Sequence, residues 1–198
     1  TNCTFNAPAN GSTTTQVPFS ISGSATAALS SGPSGSNNIV TGCTMFSGYY
    51  STVLYGNSAS PNVGNQIINC NITDQYSYAT YCLYQNGAVF SGNTFDRPTR
   101  TTLSTYYGMY LSTGCTNTLV EKNKFRNTWA TNPTATGTQY TIYCTIDASL
   151  GNENKFYNNL ISDIDFNGTI YSFYMSGSDY WQAYHNTISL DQTSSTST

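Results

Sequence analysis

The residues able to do acid–base, nucleophilic or metal chemistry are few and scattered. In 198 residues there are nine acids (Asp74, Asp96, Glu121, Asp147, Glu153, Asp163, Asp165, Asp179 and Asp191), six Lys or Arg, one His and six Cys. Hydrolysis of a glycosidic bond needs two nearby carboxylates as acid and base, and calcium-assisted elimination needs converging acids beside an Arg or Lys. The tightest acidic pair is Asp163-Ile164-Asp165. Strand alternation would put both carboxylates on one face, although a solvated edge after a strand explains them equally well. His185 stands alone beside Asn186, and with one His and no CxxC a zinc site is not expected. Cys3, Cys43, Cys70, Cys82, Cys115 and Cys144 are open to two accounts, disulfides of an exported chain or buried thiols. Cofactors are not expected. A net charge of −3 lacks the basic stripe that nucleic acid requires.

The elements that would position these residues come from a repeat. A Cys or Asn recurs two residues before an apolar residue, usually with another apolar residue three before it. The marks are Cys3, Cys43, Cys70, Asn93, Asn123, Asn159 and Asn186, spaced 40, 27, 23, 30, 36 and 27 residues apart. A period near thirty predicts stacked turns. Asn suits a fixed bend because it tolerates left-handed backbone, and its amide can pair with the Asn one turn above. Cys82 is expected on the tyrosine face by parity, Cys115 in a turn, and Cys144 directly after Tyr143. Asp96 with Arg126, and Asp74 with Arg97, fall at equal offsets from the marks, which suggests weak pairs across the surface.

A second column is read at Leu54-Tyr55, Leu83-Tyr84, Met109-Tyr110, Ile142-Tyr143 and Phe173-Tyr174. Alternation places the first residue of each pair inside and Tyr55, Tyr84, Tyr110, Tyr143 and Tyr174 outside. Exposed aromatic rows can hold sugars, adhere, or bury against a partner, although stacked tyrosines also simply pack on one another. Tyr49, Tyr50, Tyr76, Tyr78, Tyr81, Tyr106, Tyr107, Tyr140, Tyr171 and Tyr180 keep the surface amphipathic. Trp129 and Trp181 are further contact candidates.

Charged residues make up 8% of the chain, against about 25% in ordinary domains. Helix formers are scarce and no stretch sustains a 3.6-residue period. The aromatic content of 14% argues against disorder. The expected fold is therefore all-β, a single-stranded right-handed parallel β-helix of about seven turns with little or no helix. One domain is expected over 1–198, with 1–37 as an irregular first turn or N-terminal arm, 38–191 as regular turns and 192–198 as a Ser/Thr-rich tail.

Segments such as Leu119–Phe125, Tyr106–Leu111 and Tyr184–Asp191 resemble right-handed parallel β-helix repeats of very large secreted or cell-surface proteins of gliding and environmental bacteria. The resemblance covers roughly 38–191, and 1–37 more weakly. It implies export, often by the type IX route, and a cell-surface or extracellular setting. It says little of activity, because the same coil hosts lyases, hydrolases and adhesins.

The pattern starts at residue 3 and still runs at Asp191, with no amphipathic capping helix and with Thr as residue 1. The sequence reads as a processed chain or a segment of something longer. Open strand edges need covering, by copies of the chain in a filament, by adjoining turns, or by terminal segments folded back. The expected function is a non-catalytic extracellular structural or adhesive module, its partners being copies of itself, adjoining turns or glycans. Membrane insertion is not expected. A carbohydrate-active β-helix enzyme (a polysaccharide lyase or hydrolase) or a glycan-binding module is the alternative, and the enzyme requires Asp163, Asp165 or Asp147 to meet an Arg or Lys in a groove.

Overall fold

The computed structural model describes residues 1–33 and 35–190. Asp191 and the tail 192–198 lie outside the described residues. The chain winds as a parallel β-solenoid of about six turns, with no helix among the described residues.

Each turn is built from up to three short strands. The approach sheet stacks Ile39–Thr41, Gln66–Ile68, Val89–Ser91, Leu119–Glu121, Asn154–Tyr157 and Trp181–Tyr184. The exit sheet stacks Thr4–Asn6, Thr44–Phe46, Asn71–Thr73, Thr94–Asp96, Lys124–Phe125, Leu160–Ile161 and Thr187–Ile188. The tyrosine sheet stacks Phe19–Ile21, Tyr50–Tyr55, Tyr78–Leu83, Tyr106–Leu111, Thr138–Cys144 and Thr169–Met175. A minor pair, Asn62–Val63 with Gln85–Asn86, fills one loop. The first mark, Cys3, has an exit strand but no approach strand among the described residues, which is why seven marks make about six turns.

The periodic apolar residues do what their spacing predicts. Val40, Ile67, Phe90, Val120, Phe156 and Ala183 lie over one another in the approach sheet. Phe5, Met45, Ile72, Phe95, Phe125, Ile161 and Ile188 do so in the exit sheet. The middle of both columns is fully buried, and Phe95 stacks on Phe125 at 4.5 Å. Like residues stack because parallel in-register strands put every side chain about 4.8 Å above its counterpart.

Between the approach and exit strands the chain turns a corner, and here the expectation needs correcting. The left-handed residue is the one before each mark: Asn2, Gly42, Asn69, Gly92, Lys122, Asn158 and His185 all have φ between 51° and 68°. The marks themselves do not have positive φ, and the side chains of Cys43, Cys70, Asn93, Asn123 and Asn159 are buried. Asn123 accepts from the backbone N–H and Nδ2 of Asn93 at 2.9 and 3.0 Å. It donates from Nδ2 to Phe90 O and to Asn159 Oδ1 at 2.9 and 3.0 Å. Asn159 repeats the pattern onto Asn186. In the first turns sulfur substitutes as acceptor: the Cys3 N–H donates to Cys43 Sγ at 3.3 Å and the Cys43 N–H to Cys70 Sγ at 3.4 Å. All six cysteines are free thiols.

A shorter ladder runs at the opposite end of the approach strand. The Asn38 N–H and Nδ2 donate to Asn65 Oδ1 at 3.1 and 3.0 Å, Asn65 Nδ2 donates to Gln85 Oε1, and the Thr118 N–H donates to Asn154 Oδ1.

Two arginines lock the loop after the fourth exit strand. Arg97 is fully buried, with its guanidinium 4.7 Å from the Tyr106 ring centre and 4.6 Å from that of Trp129. It donates to the carbonyls of Thr128 and Tyr76. Burial pulls this guanidinium down to about 9, with Tyr106 and Asp74 opposing, so it remains a cation at neutral pH. Arg100 donates to Gly11 O at 2.7 Å and Asp74 O at 3.1 Å. The Asp74 carboxylate accepts from Thr99 and from the Arg100 N–H, so no surface pair with Arg97 forms. Arg126 does act on Asp96, but burial dominates and pushes that carboxyl up.

Candidate functional site

The most extensive feature of the surface is aromatic, and it differs from the column read in the sequence. In the tyrosine sheet, Tyr110 lies over Tyr81, not Tyr84, and Tyr55 pairs in register with Leu83. The true outer file is Val53, Tyr81, Tyr110, Tyr143 and Tyr174. A second file runs beside it: Tyr50, Tyr78, Tyr107, Tyr140 and Tyr171. Inward between them lie Thr52, Thr80, Met109, Ile142 and Phe173.

Two outward residues three apart break strict alternation. The register pairs Tyr107 and Met109 with Tyr78 and Thr80 and passes over Gly108. The position it passes over holds Ser51, Ala79, Gly108, Thr141 and Ser172 in successive turns, small residues throughout. A Cβ on Gly108 would sit 2.5 Å from Thr141 O and 3.0 Å from the Phe125 ring. The strand must bend inward there, and only a small side chain fits against the exit sheet. The recurring signature is therefore Tyr, small, any, Tyr, as in Tyr107-Gly108-Met109-Tyr110.

In the second file the rings stack along the coil axis, whereas in the first Tyr110 stacks on Tyr143 but Tyr81–Tyr110 and Tyr143–Tyr174 are tilted at 37° and 49°. Tyr78 lies 4.4 Å from Tyr107 at 5°, Tyr107 lies 5.1 Å from Tyr140 at 9°, and Tyr140 lies 5.1 Å from Tyr171 at 11°. Near-parallel rings this close cannot lie side by side, so their faces are turned to one another. Between files the contacts continue, Tyr107 to Tyr110 at 5.8 Å and Tyr140 to Tyr143 at 5.0 Å. Tyr49 and Tyr76 extend the array at its first rungs. Along Tyr78, Tyr107, Tyr140 and Tyr171 the ring faces are taken up by neighbouring rings, which leaves little of them for a sugar to stack on. The face instead offers rows of hydroxyl donors and acceptors at the turn spacing, on strands that carry no charged residue. Burial pushes Tyr50 up to about 12 and raises Tyr78, Tyr81, Tyr107, Tyr140 and Tyr143, with neighbouring phenols adding to it in each case. These hydroxyls keep their protons at neutral pH.

The other expected residues fall elsewhere. Tyr55 and Tyr84 form a separate half-buried pair at 6.2 Å, with Tyr84 in a left-handed turn. Trp129 is 2% exposed, stacked on Phe166 at 4.0 Å, with Nε1 donating to Gln139, so its ring is not offered to a partner. Trp181 is exposed on the last approach strand. Tyr106 is buried under Arg97. Cys82 points inward, over Leu54 and Leu111, because Tyr81 is the outward residue. Asp163 occupies a left-handed bend and accepts from the Ser162 hydroxyl, while Asp147 accepts from the Asp179 N–H. Among the described residues no group of three His, Cys, Asp or Glu side chains is placed to hold a metal ion.

Fold and face define the class: an all-β parallel solenoid with one flank made into an aromatic sheet. No protein-family model matches the chain, and no curated protein or solved structure matches it either.

Proposed function

We propose that this chain is a non-catalytic structural and adhesive solenoid module of an extracellular or cell-surface protein, and that the two-file tyrosine flank is its contact face. The observation that carries this reading is the continuity of the flank. Its stacked rings run from Tyr50 to Tyr171 without a charged residue on their strands, over roughly 19 Å at the usual strand spacing. A rigid row of amphipathic side chains already packed on one another loses little conformational entropy on contact. Its geometry suits a flat, repeating, hydrogen-bonding partner, either a second copy of the chain or a glycan polymer surface, better than a single sugar. The resemblance of the repeats to exported bacterial surface proteins supports the setting, and the low charge is consistent with it.

The test is co-sedimentation with insoluble polysaccharides alongside sedimentation velocity of the chain alone. Wild type should partition to a polymer or self-associate, and replacing Tyr107, Tyr110, Tyr140 and Tyr143 together by Ser should abolish it. Retention unaffected by those changes, or release of shortened or unsaturated sugars from the polymer, would overturn the reading.

A further inference from the structure

We propose that the tyrosine flank is also a site of oxidative modification, in which phenols already in contact are joined as dityrosine, with Tyr171 and Tyr174 as the favoured pair. This does not depend on which partner the flank meets.

The geometry comes first. Most contacts within a file are near-parallel stacks, a poor arrangement for a bond between ring carbons. Tyr171 and Tyr174 instead lie 4.8 Å apart at 57°. That separation and tilt approach those of two directly bonded aryl rings. Tyr171 is the exposed member of its file, so an oxidant can reach it and its proton can leave to water. The remaining rings form an unbroken relay into this pair, through Tyr107 to Tyr140 and Tyr110 to Tyr143, and then through Tyr140 to Tyr171 and Tyr143 to Tyr174.

The chemistry balances with a one-electron oxidant of the haem-peroxidase class, hydrogen peroxide being the terminal acceptor. Each phenol loses one electron and its hydroxyl proton to become a neutral phenoxyl radical. A phenol in contact can refill that vacancy with its own electron and proton, moving the radical along the file. Two radicals join through their ortho carbons, and the ortho hydrogens shift to the oxygens as the rings regain aromaticity. Two electrons and two protons leave in all, and with two hydrogens' worth of reduction one peroxide becomes two waters. Cys82 and Cys144 lie inward on the same strands and are the competing sinks, but both are buried thiols whose protonated form burial favours.

The experiment treats the folded chain with a haem peroxidase and peroxide, and separately with a photogenerated one-electron oxidant that attacks rings without discrimination. Dityrosine is read by fluorescence and located by peptide mass. The expected result is a monomeric product lacking two hydrogens in the peptide that holds Tyr171 and Tyr174, at a yield several-fold above that of the urea-unfolded chain. Tyr171→Phe keeps the ring and its packing, and should remove the product. A Tyr107→Phe, Tyr110→Phe double variant leaves the pair intact, and should cut the yield with the photogenerated oxidant by interrupting the relay. Equal yields from folded and unfolded chain, cross-links confined to Tyr55, Tyr84 or Tyr180, an unchanged yield in Tyr171→Phe or in the double variant, or loss of thiols in place of phenols would each overturn the proposal.

Discussion

Asn123 shows how much one side chain can carry when the chain passes over itself. Its amide makes four hydrogen bonds, two to Asn93 and one each to Phe90 O and Asn159 Oδ1, all in the interior. Asn123→Ala leaves the buried Asn93 N–H and one hydrogen of its Nδ2 without acceptors, the other Nδ2 hydrogen keeping Ile67 O. At roughly 1–3 kcal/mol for each abandoned group, the loss should be about 3 kcal/mol or more by urea unfolding. Asn123→Cys should cost less, because Cys43 and Cys70 show that Sγ can accept the N–H from the turn before. If the two variants lose equal stability, the ladder is not what fixes this corner. Its Asn and Cys marks were legible in the sequence because a fixed offset separates them from two buried columns. The second ladder was not, although Asn38, Asn65 and Asn154 each stand five residues before a mark. Ala88, Thr118 and Trp181 occupy that offset in the other turns and break the pattern. The left-handed residue before each mark was equally hidden, since Gly, Asn, Lys and His all fill it.

Among elements, the tyrosine sheet behaves as a unit, and Tyr107 is its middle rung. Tyr107→Phe keeps both stacked neighbours and should be nearly neutral. Tyr107→Ala opens a gap between Tyr78 and Tyr140 and should cost about 2–3 kcal/mol, seen as a lower midpoint in thermal unfolding. The same sheet sets the response to alkali. Free phenols titrate near 10.0, whereas Tyr50 holds its proton to about 12 and its buried neighbours are also raised. Above about 10 the unfolded chain thus binds fewer protons than the folded one, so stability should be level below that pH and fall as pH rises through about 12. Cys115, raised to about 12 by burial, acts in the same direction. Arg97, pulled down to about 9, and Arg100, also lowered by burial, act oppositely, but as two groups against several. Tyrosinate absorbance from Tyr50, Tyr78, Tyr81 and Tyr107 should therefore develop together with loss of the fold; titration of these four near pH 10 without unfolding would contradict their burial. The register of this sheet was only half legible. Met109-Tyr110, Ile142-Tyr143 and Phe173-Tyr174 align in the structure, whereas Leu54-Tyr55 and Leu83-Tyr84, the same apolar–Tyr pair in sequence, lie two and three residues beyond that column. Threonines fill the inward column at Thr52 and Thr80, so the apolar–Tyr dipeptide in each of these two turns falls at a leucine beyond it. Loops of varying length before this sheet removed the fixed offset that secured the other two.

At the scale of the molecule, a solenoid is nearly one-dimensional: each turn touches its neighbours, and stability is a sum of turn and interface terms. Interior turns with two neighbours should resist opening more than terminal ones, so amide exchange should be slowest over roughly residues 89–161. One contact breaks the nearest-neighbour rule. Arg100, in a loop after the fourth exit strand, reaches back to Gly11 O at 2.7 Å and also meets Ser47 Oγ, which in turn donates to Pro8 O. Thr101 adds bonds to Asn10. The first turn is thus tied directly to a loop three turns on, whereas Trp181, Tyr184 and Ile188 in the last described turn remain largely exposed. The two ends should therefore differ, with amides in Thr4–Asn6 and Phe19–Ile21 exchanging more slowly than those in Trp181–Tyr184 and Thr187–Ile188. Arg100→Ala removes the guanidinium bonds to Gly11 and Ser47, leaves only the long Thr101–Asn10 bonds across that gap, and keeps every strand pairing in place. It should speed exchange in the first turn toward the rate at the other end while Tyr106–Leu111 and Thr138–Cys144 stay protected. Acceleration spread evenly along the chain would mean that the coil opens as one cooperative block, and that the arginine clamp holds the whole molecule and not its first turn.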